Sequence, residues 1–172
     1  MTDRILSHSS LSHIVDVPIE RIDIADWLFN LPEAEYQRCC PPDHIAAGAT
    51  STDNGRRMSI NVEMIGETLM IQHYIGEITE PHLCRMVSLS DAISANGRTK
   101  VHVLWELSVK PINSTRCEYT TLSRRLRPKN SSTSLSGTAF RSNRPPRPGK
   151  RPEVITIAAK RRFSPRALSD MP

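Results

Sequence analysis

Hydrophobic and polar residues alternate through nearly half of the chain, across residues 44–122. A period of two is typical of β-strands that have one buried face and one face in water. Turn motifs divide this stretch, notably Asn54-Gly55 and Asn96-Gly97, because an asparagine–glycine pair accepts the positive φ of a hairpin turn. Strands joined by such short turns pair with their neighbours along the chain. The pattern therefore predicts an antiparallel meander.

A different pattern precedes the meander. Residues 13–17 form a short β-branched run, which favours a first strand. Asp23 is a suitable cap for a first helical segment, and Pro32 starts a second one, since proline is tolerated at a first helical position. These segments predict an α+β fold. It consists of a curved antiparallel sheet of six to seven strands, with two short helices after the first strand.

Charge is distributed unevenly along the chain, whose formal net charge is +5. Residues 1–123 contain 10 basic and 16 acidic residues, whereas residues 124–172 contain 13 basic and two acidic residues. Seven of the 13 prolines also lie in this last stretch, a composition that is typical of disorder. We predict three parts: a flexible lead-in (1–12), a folded domain (13–123) and a disordered basic tail rich in Pro, Ser and Arg (124–172).

The order of these segments resembles that of a known superfamily. The chain is similar to the START-like, polyketide-cyclase superfamily (SRPBCC), whose members have a helix-grip fold. The resemblance covers about two thirds of the chain, in the stretches HIVDVPIERI, ADWLFNLPEAEYQRCC, MSINVEMIGETLMIQHYIGEI, LCRMVSLSDAI and KVHVLWELSVKPI. It implies a hydrophobic ligand held in a cavity between the sheet and a long C-terminal helix. In some members cyclisation or hydrolysis takes place there.

The sequence departs from this family at the closing helix. After Leu122 the chain continues as Ser123-Arg124-Arg125, and no segment predicts the long C-terminal helix. A shifted reading frame or a fusion scar explains such a break as well as a native basic tail does. A truncated or frame-shifted inactive copy is therefore one alternative for the whole chain.

Five residues are the candidate ligand contacts: Met58, Ile60, Val62, His73 and Trp105. Each lies on the more apolar face of its strand, and we predict that all five face the same enclosed side of the sheet. His73 is either a polar anchor or acid–base group in the cavity, or a core histidine with a neighbouring partner, or an edge residue that faces water. Trp105 either stacks on a flat ligand or fills the core. No catalytic residue is assigned.

No metal or other cofactor is expected. Cys39 and Cys40 are adjacent, so their thiols cannot easily point at one tetrahedral ion together with His44, and a fourth ligand is not evident. The four cysteines form no C-x-x-C pair, and without a secretory signal they do not predict a disulfide framework.

Two classes of active function remain open. The first is binding of a small hydrophobic molecule in a sheet-lined cavity, with or without cyclase- or hydrolase-like activity. The second is non-specific binding of nucleic acid or an acidic partner through residues 124–172, because basic residues neutralise phosphates and release counterions. No apolar run approaches the ~20 residues of a membrane helix, so we expect a cytoplasmic protein. An open cavity would expose apolar surface and favour a homodimer.

Overall fold

The computed structural model describes residues 5–126, which form one antiparallel sheet of seven strands in the order β1-β7-β6-β5-β4-β3-β2. The strands are β1 (Ile5–Val15), β2 (His44–Ser51), β3 (Arg57–Ile65), β4 (Thr68–Glu80), β5 (Leu83–Ser94), β6 (Gly97–Asn113) and β7 (Arg116–Leu126). Between β1 and β2 lie a 3-10 helix (Ile19–Arg21), α1 (Ile24–Phe29) and α2 (Glu33–Cys39). The predicted α+β class, the curved sheet and the two helices after the first strand are confirmed.

The first and last strands are longer than the sequence pattern predicts. β1 begins at Ile5, so most of the predicted flexible lead-in is strand; its polar residues are tolerated because β1 is an edge strand that pairs with β7. β7 continues to Leu126, beyond the predicted boundary at residue 123. The remainder of the predicted tail, and the place where a closing helix would follow, lie outside the described residues. Within residues 5–126, no helix has the length and apolar character to cross a membrane.

Local chemistry fixes the helix start and the turns where the sequence predicts them. The carboxylate of Asp23 accepts a hydrogen bond from the Asp26 amide at 2.8 Å, which caps α1. Gly55 and Gly97 have φ angles of 79° and 107°, the positive values that these hairpin turns require.

The helix α1 covers one end of the concave face of the sheet. Five of its six residues are buried, namely Ile24, Ala25, Trp27, Leu28 and Phe29. They belong to the same core as inward side chains of the central strands, including Met86, Leu107 and Cys117. The Ile24 amide also donates to the Pro81 carbonyl at 2.8 Å, which ties the start of α1 to the β4–β5 turn. α1 therefore covers the core at the end of the concave face that contains this turn, and the same core continues along the face through Met70, Val101 and Val103.

Gly76 allows α1 to approach β4 closely. A Cβ atom at this position would lie 3.1 Å from Cζ of Phe29 and 2.6 Å from Cγ2 of Thr79. Phe29 is fully buried. The absence of a side chain at Gly76 thus sets the distance between helix and sheet.

We predict that Gly76→Ala lowers the free energy of unfolding by about 1–3 kcal/mol, because the added methyl group would overlap Thr79 and crowd Phe29. Urea denaturation measures this change. Gly48→Ala is the matched control within another strand, since a Cβ there meets no atom within 4 Å. Its effect should stay within about 0.5 kcal/mol. Equal stability of the two variants would contradict the close approach of α1.

Candidate functional site

The concave face becomes polar away from α1. Its inward side chains there include five that are almost inaccessible to water: Ser59, Asn61, Gln72, Ser88 and Ser90. Some of them pair among themselves, with 3.0 Å between the Ser88 and Ser90 hydroxyls and 3.3 Å from the Ser59 hydroxyl to the Asn61 side-chain oxygen. Burying polar groups costs free energy that apolar side chains would not cost. This part of the sheet therefore contains polar side chains that packing alone does not require.

An aromatic pair stands between the core and these polar residues. The ring centroids of Tyr74 and Trp105 lie 5.4 Å apart with the planes tilted by 55°. The indole N–H of Trp105 donates to the Thr121 hydroxyl at 2.9 Å, which holds the ring in one orientation. Trp105 is only partly buried. It thus combines a fixed orientation with accessible ring surface, as stacking on a flat ligand requires.

At the β2 edge, α2 places Tyr36 against His44. Their rings stack with centroids 3.9 Å apart, and Nδ1 of His44 lies 2.8 Å from the Tyr36 carbonyl oxygen. Nε2 of the same imidazole lies 3.7 Å from the Glu63 carboxylate. Burial, with a smaller contribution from the charge of Glu63, raises the pKa of Tyr36 and of Tyr74. Both phenols are therefore neutral hydrogen-bonding groups at neutral pH.

Near β1 and β7, three inward side chains have buried polar atoms that find no hydrogen-bond partner in the described part of the chain. They are Nε2 of His13, the hydroxyl of Tyr119 and Nε of Arg125. His13 and Tyr119 lie directly opposite each other on neighbouring strands. Thr121 is beside Tyr119 on the same strand face, but the two hydroxyls do not reach hydrogen-bond geometry. An unpaired buried polar atom costs about 1–3 kcal/mol, so these atoms mark places where a ligand could supply a partner.

Four of the five predicted ligand contacts lie on the convex face instead. Ile60 pairs with His73, whereas Ser59 pairs with Tyr74, so the two pairs point to opposite sides of the sheet. Trp105 shares the Tyr74 side. The prediction of one shared enclosed face is therefore wrong for these four residues: Met58, Ile60, Val62 and His73.

The continuity of the pleat explains this reversal. Side chains that lie opposite each other on paired strands point to the same face. Trp105 is opposite Met86, and Met86 is opposite Gly76, which faces α1. The odd-numbered positions of β4, including His73, must then point outward. The outward face also contains the ion pair between Arg85 and Glu106, with 2.6 Å between the charged atoms.

The sequence contains a signal for one residue that our reasoning missed. The boundary at residue 123 assigns Arg125 to the tail. The inward positions of β7 nevertheless recur in steps of two, from Cys117 and Tyr119 through Thr121 and Ser123 to Arg125. Extending the two-residue period would have placed Arg125 on the concave face.

In the part of the chain from residue 5 to residue 126, no three His, Cys, Asp or Glu side chains are grouped as metal ligands would be.

No family model and no curated protein matches this sequence. The chain is, however, similar in structure to solved proteins. A START superfamily protein from Mycobacterium smegmatis superposes with a TM-score of 0.51 at 13% identity, over 91% of this chain and 96% of that chain. The Zhui aromatase/cyclase from Streptomyces sp. R1128 superposes with a TM-score of 0.50 at 12% identity, over 70% of this chain and 67% of that chain. This chain has a START-like fold. At such low identity, the likeness shows the fold alone, and the activity depends on the residues of the site.

We predict that Thr121→Val lowers the free energy of unfolding by about 1–2 kcal/mol, because the indole N–H of Trp105 loses its acceptor. Thermal unfolding followed by circular dichroism measures the loss. Thr120→Val is the matched control, since its hydroxyl makes an exposed bond to the Ser12 hydroxyl at 2.8 Å on the opposite face. An equal effect of both substitutions would show that the indole does not depend on Thr121.

Proposed function

We propose that this protein binds a small, mainly hydrophobic molecule on the concave face of its sheet, beside Trp105. The observation that carries the proposal is the position of the Tyr74–Trp105 pair between an apolar core and buried polar groups. Small-molecule sites are typically concave, largely apolar and supplied with a few polar groups that fix orientation. The START-like likeness supports the same class of function, since one of the similar structures is an aromatase/cyclase.

The side chains around the pair indicate the chemistry of the ligand. Apolar walls come from Met70 and Val103, which are each 2% exposed, while Asn61 and Gln72 present amides on the same face. A ring system with a few oxygen substituents matches such a surface. The second class of function, nucleic-acid or acidic-partner binding, depends almost entirely on residues outside the described range. No observation on the described residues favours nucleic-acid binding, acidic-partner binding or a homodimer.

We predict that Trp105→Ala weakens binding of the neutral dye Nile red about tenfold, because the ligand loses its aromatic contact. Fluorescence titration measures the dissociation constant. Leu89→Ala is the control, since Leu89 is the large apolar side chain of β5 that is half exposed on the convex face. Its affinity for the dye should match that of the unmodified protein.

Two outcomes would contradict this function. A protein that does not bind the dye at all has no accessible hydrophobic site. Loss of affinity in Leu89→Ala, with Trp105→Ala unchanged, would place the site on the convex face. Circular dichroism of both variants verifies that each is folded.

A second candidate function is acid–base catalysis, which the His13–Tyr119 pair favours. Nε2 of His13, which finds no hydrogen-bond partner among residues 5–126, belongs to the side-chain type that most often acts as a general acid or base. Burial raises the pKa of Tyr119, so its neutral hydroxyl is a hydrogen-bond donor to a developing negative charge. Such a pair suits a hydrolase- or cyclase-like reaction of a ligand that is held by Trp105.

For this candidate, p-nitrophenyl butyrate is a suitable probe of hydrolysis. We predict that His13→Gln and Tyr119→Phe each slow its turnover tenfold or more, by about 1.4 kcal/mol in activation free energy. The control is His8→Gln, because His8 is an exposed histidine of the same strand and pairs with Arg124. Equal rates in all three variants and the unmodified protein would remove the catalytic role and leave ligand binding intact.

A further inference from the structure

Arg125 places a guanidinium on the concave face, and its Nε finds no hydrogen-bond partner in the described part of the chain. Arg125 lies opposite Val103 on one side and opposite Ser7 on the other. Val103 is 2% exposed and points into the concave face, so Arg125 points there too. Its Nε is shielded from water and has no hydrogen-bond partner among residues 5–126. We propose that Arg125 binds the carboxylate, or an equivalent planar anion, of the ligand; this inference rests on the proposed function.

The chemistry of arginine favours an anion in this place. A shielded N–H group without a partner is costly, and a guanidinium presents its N–H groups as a rigid fork that matches a carboxylate. A neutral hydroxyl or carbonyl of a ligand would satisfy one N–H but leave the charge uncompensated. An acidic group on the ligand satisfies both the charge and the shielded Nε.

The surroundings of Arg125 fix how such a ligand lies. Tyr74, across the concave face, is close to both Arg125 and Glu63. The charge of Glu63 raises the pKa of the Tyr74 hydroxyl, and the charge of Arg125 lowers it. The face is therefore positive toward β7 and negative toward β3. A ligand acid is attracted to the β7 side and repelled from Glu63, while its ring lies on Trp105, which neighbours Arg125 through the pair with Ser123.

The test compares an acid with its neutral ester. The probes are 2-naphthoate and methyl 2-naphthoate, each measured by displacement of Nile red from the full chain. In the Arg125→Gln variant, we expect the dissociation constant of the acid to rise about tenfold or more while that of the ester changes by less than about twofold. Arg125→Lys keeps the charge without the fork and should give an intermediate loss for the acid.

The matched control is Arg124→Gln, which removes the same charge from the neighbouring position. Arg124 is exposed and lies opposite Leu104 on the convex face, so neither probe should change its affinity. An equal loss of the acid in both variants would reveal general charge attraction and overturn a specific role of Arg125. Unchanged ester binding verifies that each variant is folded.

The remaining outcomes separate this inference from the proposed function. If the unmodified protein binds Nile red and the ester but not the acid, or if Arg125→Gln leaves the acid unaffected, the anion site is overturned and the hydrophobic site stands. If the unmodified protein binds neither Nile red nor the two naphthalenes, the proposed function fails and the anion site fails with it.

Discussion

The contact between α1 and the bare backbone of Gly76 determines which face of the sheet is the inside. A Cβ atom at that position would lie only 3.1 Å from the Phe29 ring, so the helix packs directly on β4. Once this face is covered, the pleat fixes the direction of every other side chain on the paired strands. The orientation of Trp105 toward the interior and of His73 toward the outside follows from this one contact.

With this face turned inward, the concave side of the sheet contains an apolar region and a polar region. Near the β4–β5 turn, apolar side chains and α1 form a dry core. Farther along, the same strands turn buried hydroxyls, amides and phenols inward, between Glu63 at one side and Arg125 at the other. A sheet face that served stability alone would be apolar throughout, because each buried polar group without a good partner lowers the net stability. The proposed ligand site depends on this polar half of the face.

Much of the architecture could be predicted from local sequence signals. The Asp23 cap and the turns at Gly55 and Gly97 are short-range features, and each is present in the structure. The direction of β3 could not be predicted in the same way. Its more apolar side, with Met58 and Ile60, points outward because the neighbouring strands and α1 decide the direction over long range. Arg125 was missed for a different reason: the two-residue period of β7 extends to it, but the basic stretch that begins at residue 124 has a composition typical of a disordered tail.

The methyl groups of methionine offer the most direct test of a concave ligand site. Met70 lies on the concave face, while Met58 and Met64 lie on the convex face. Methyl NMR of methionine-labelled protein, titrated with methyl 2-naphthoate, reports which face the aromatic ring approaches. The account predicts that the Met70 signal shifts with added ligand while the Met58 and Met64 signals stay in place. Shifts confined to Met58 and Met64 would contradict it.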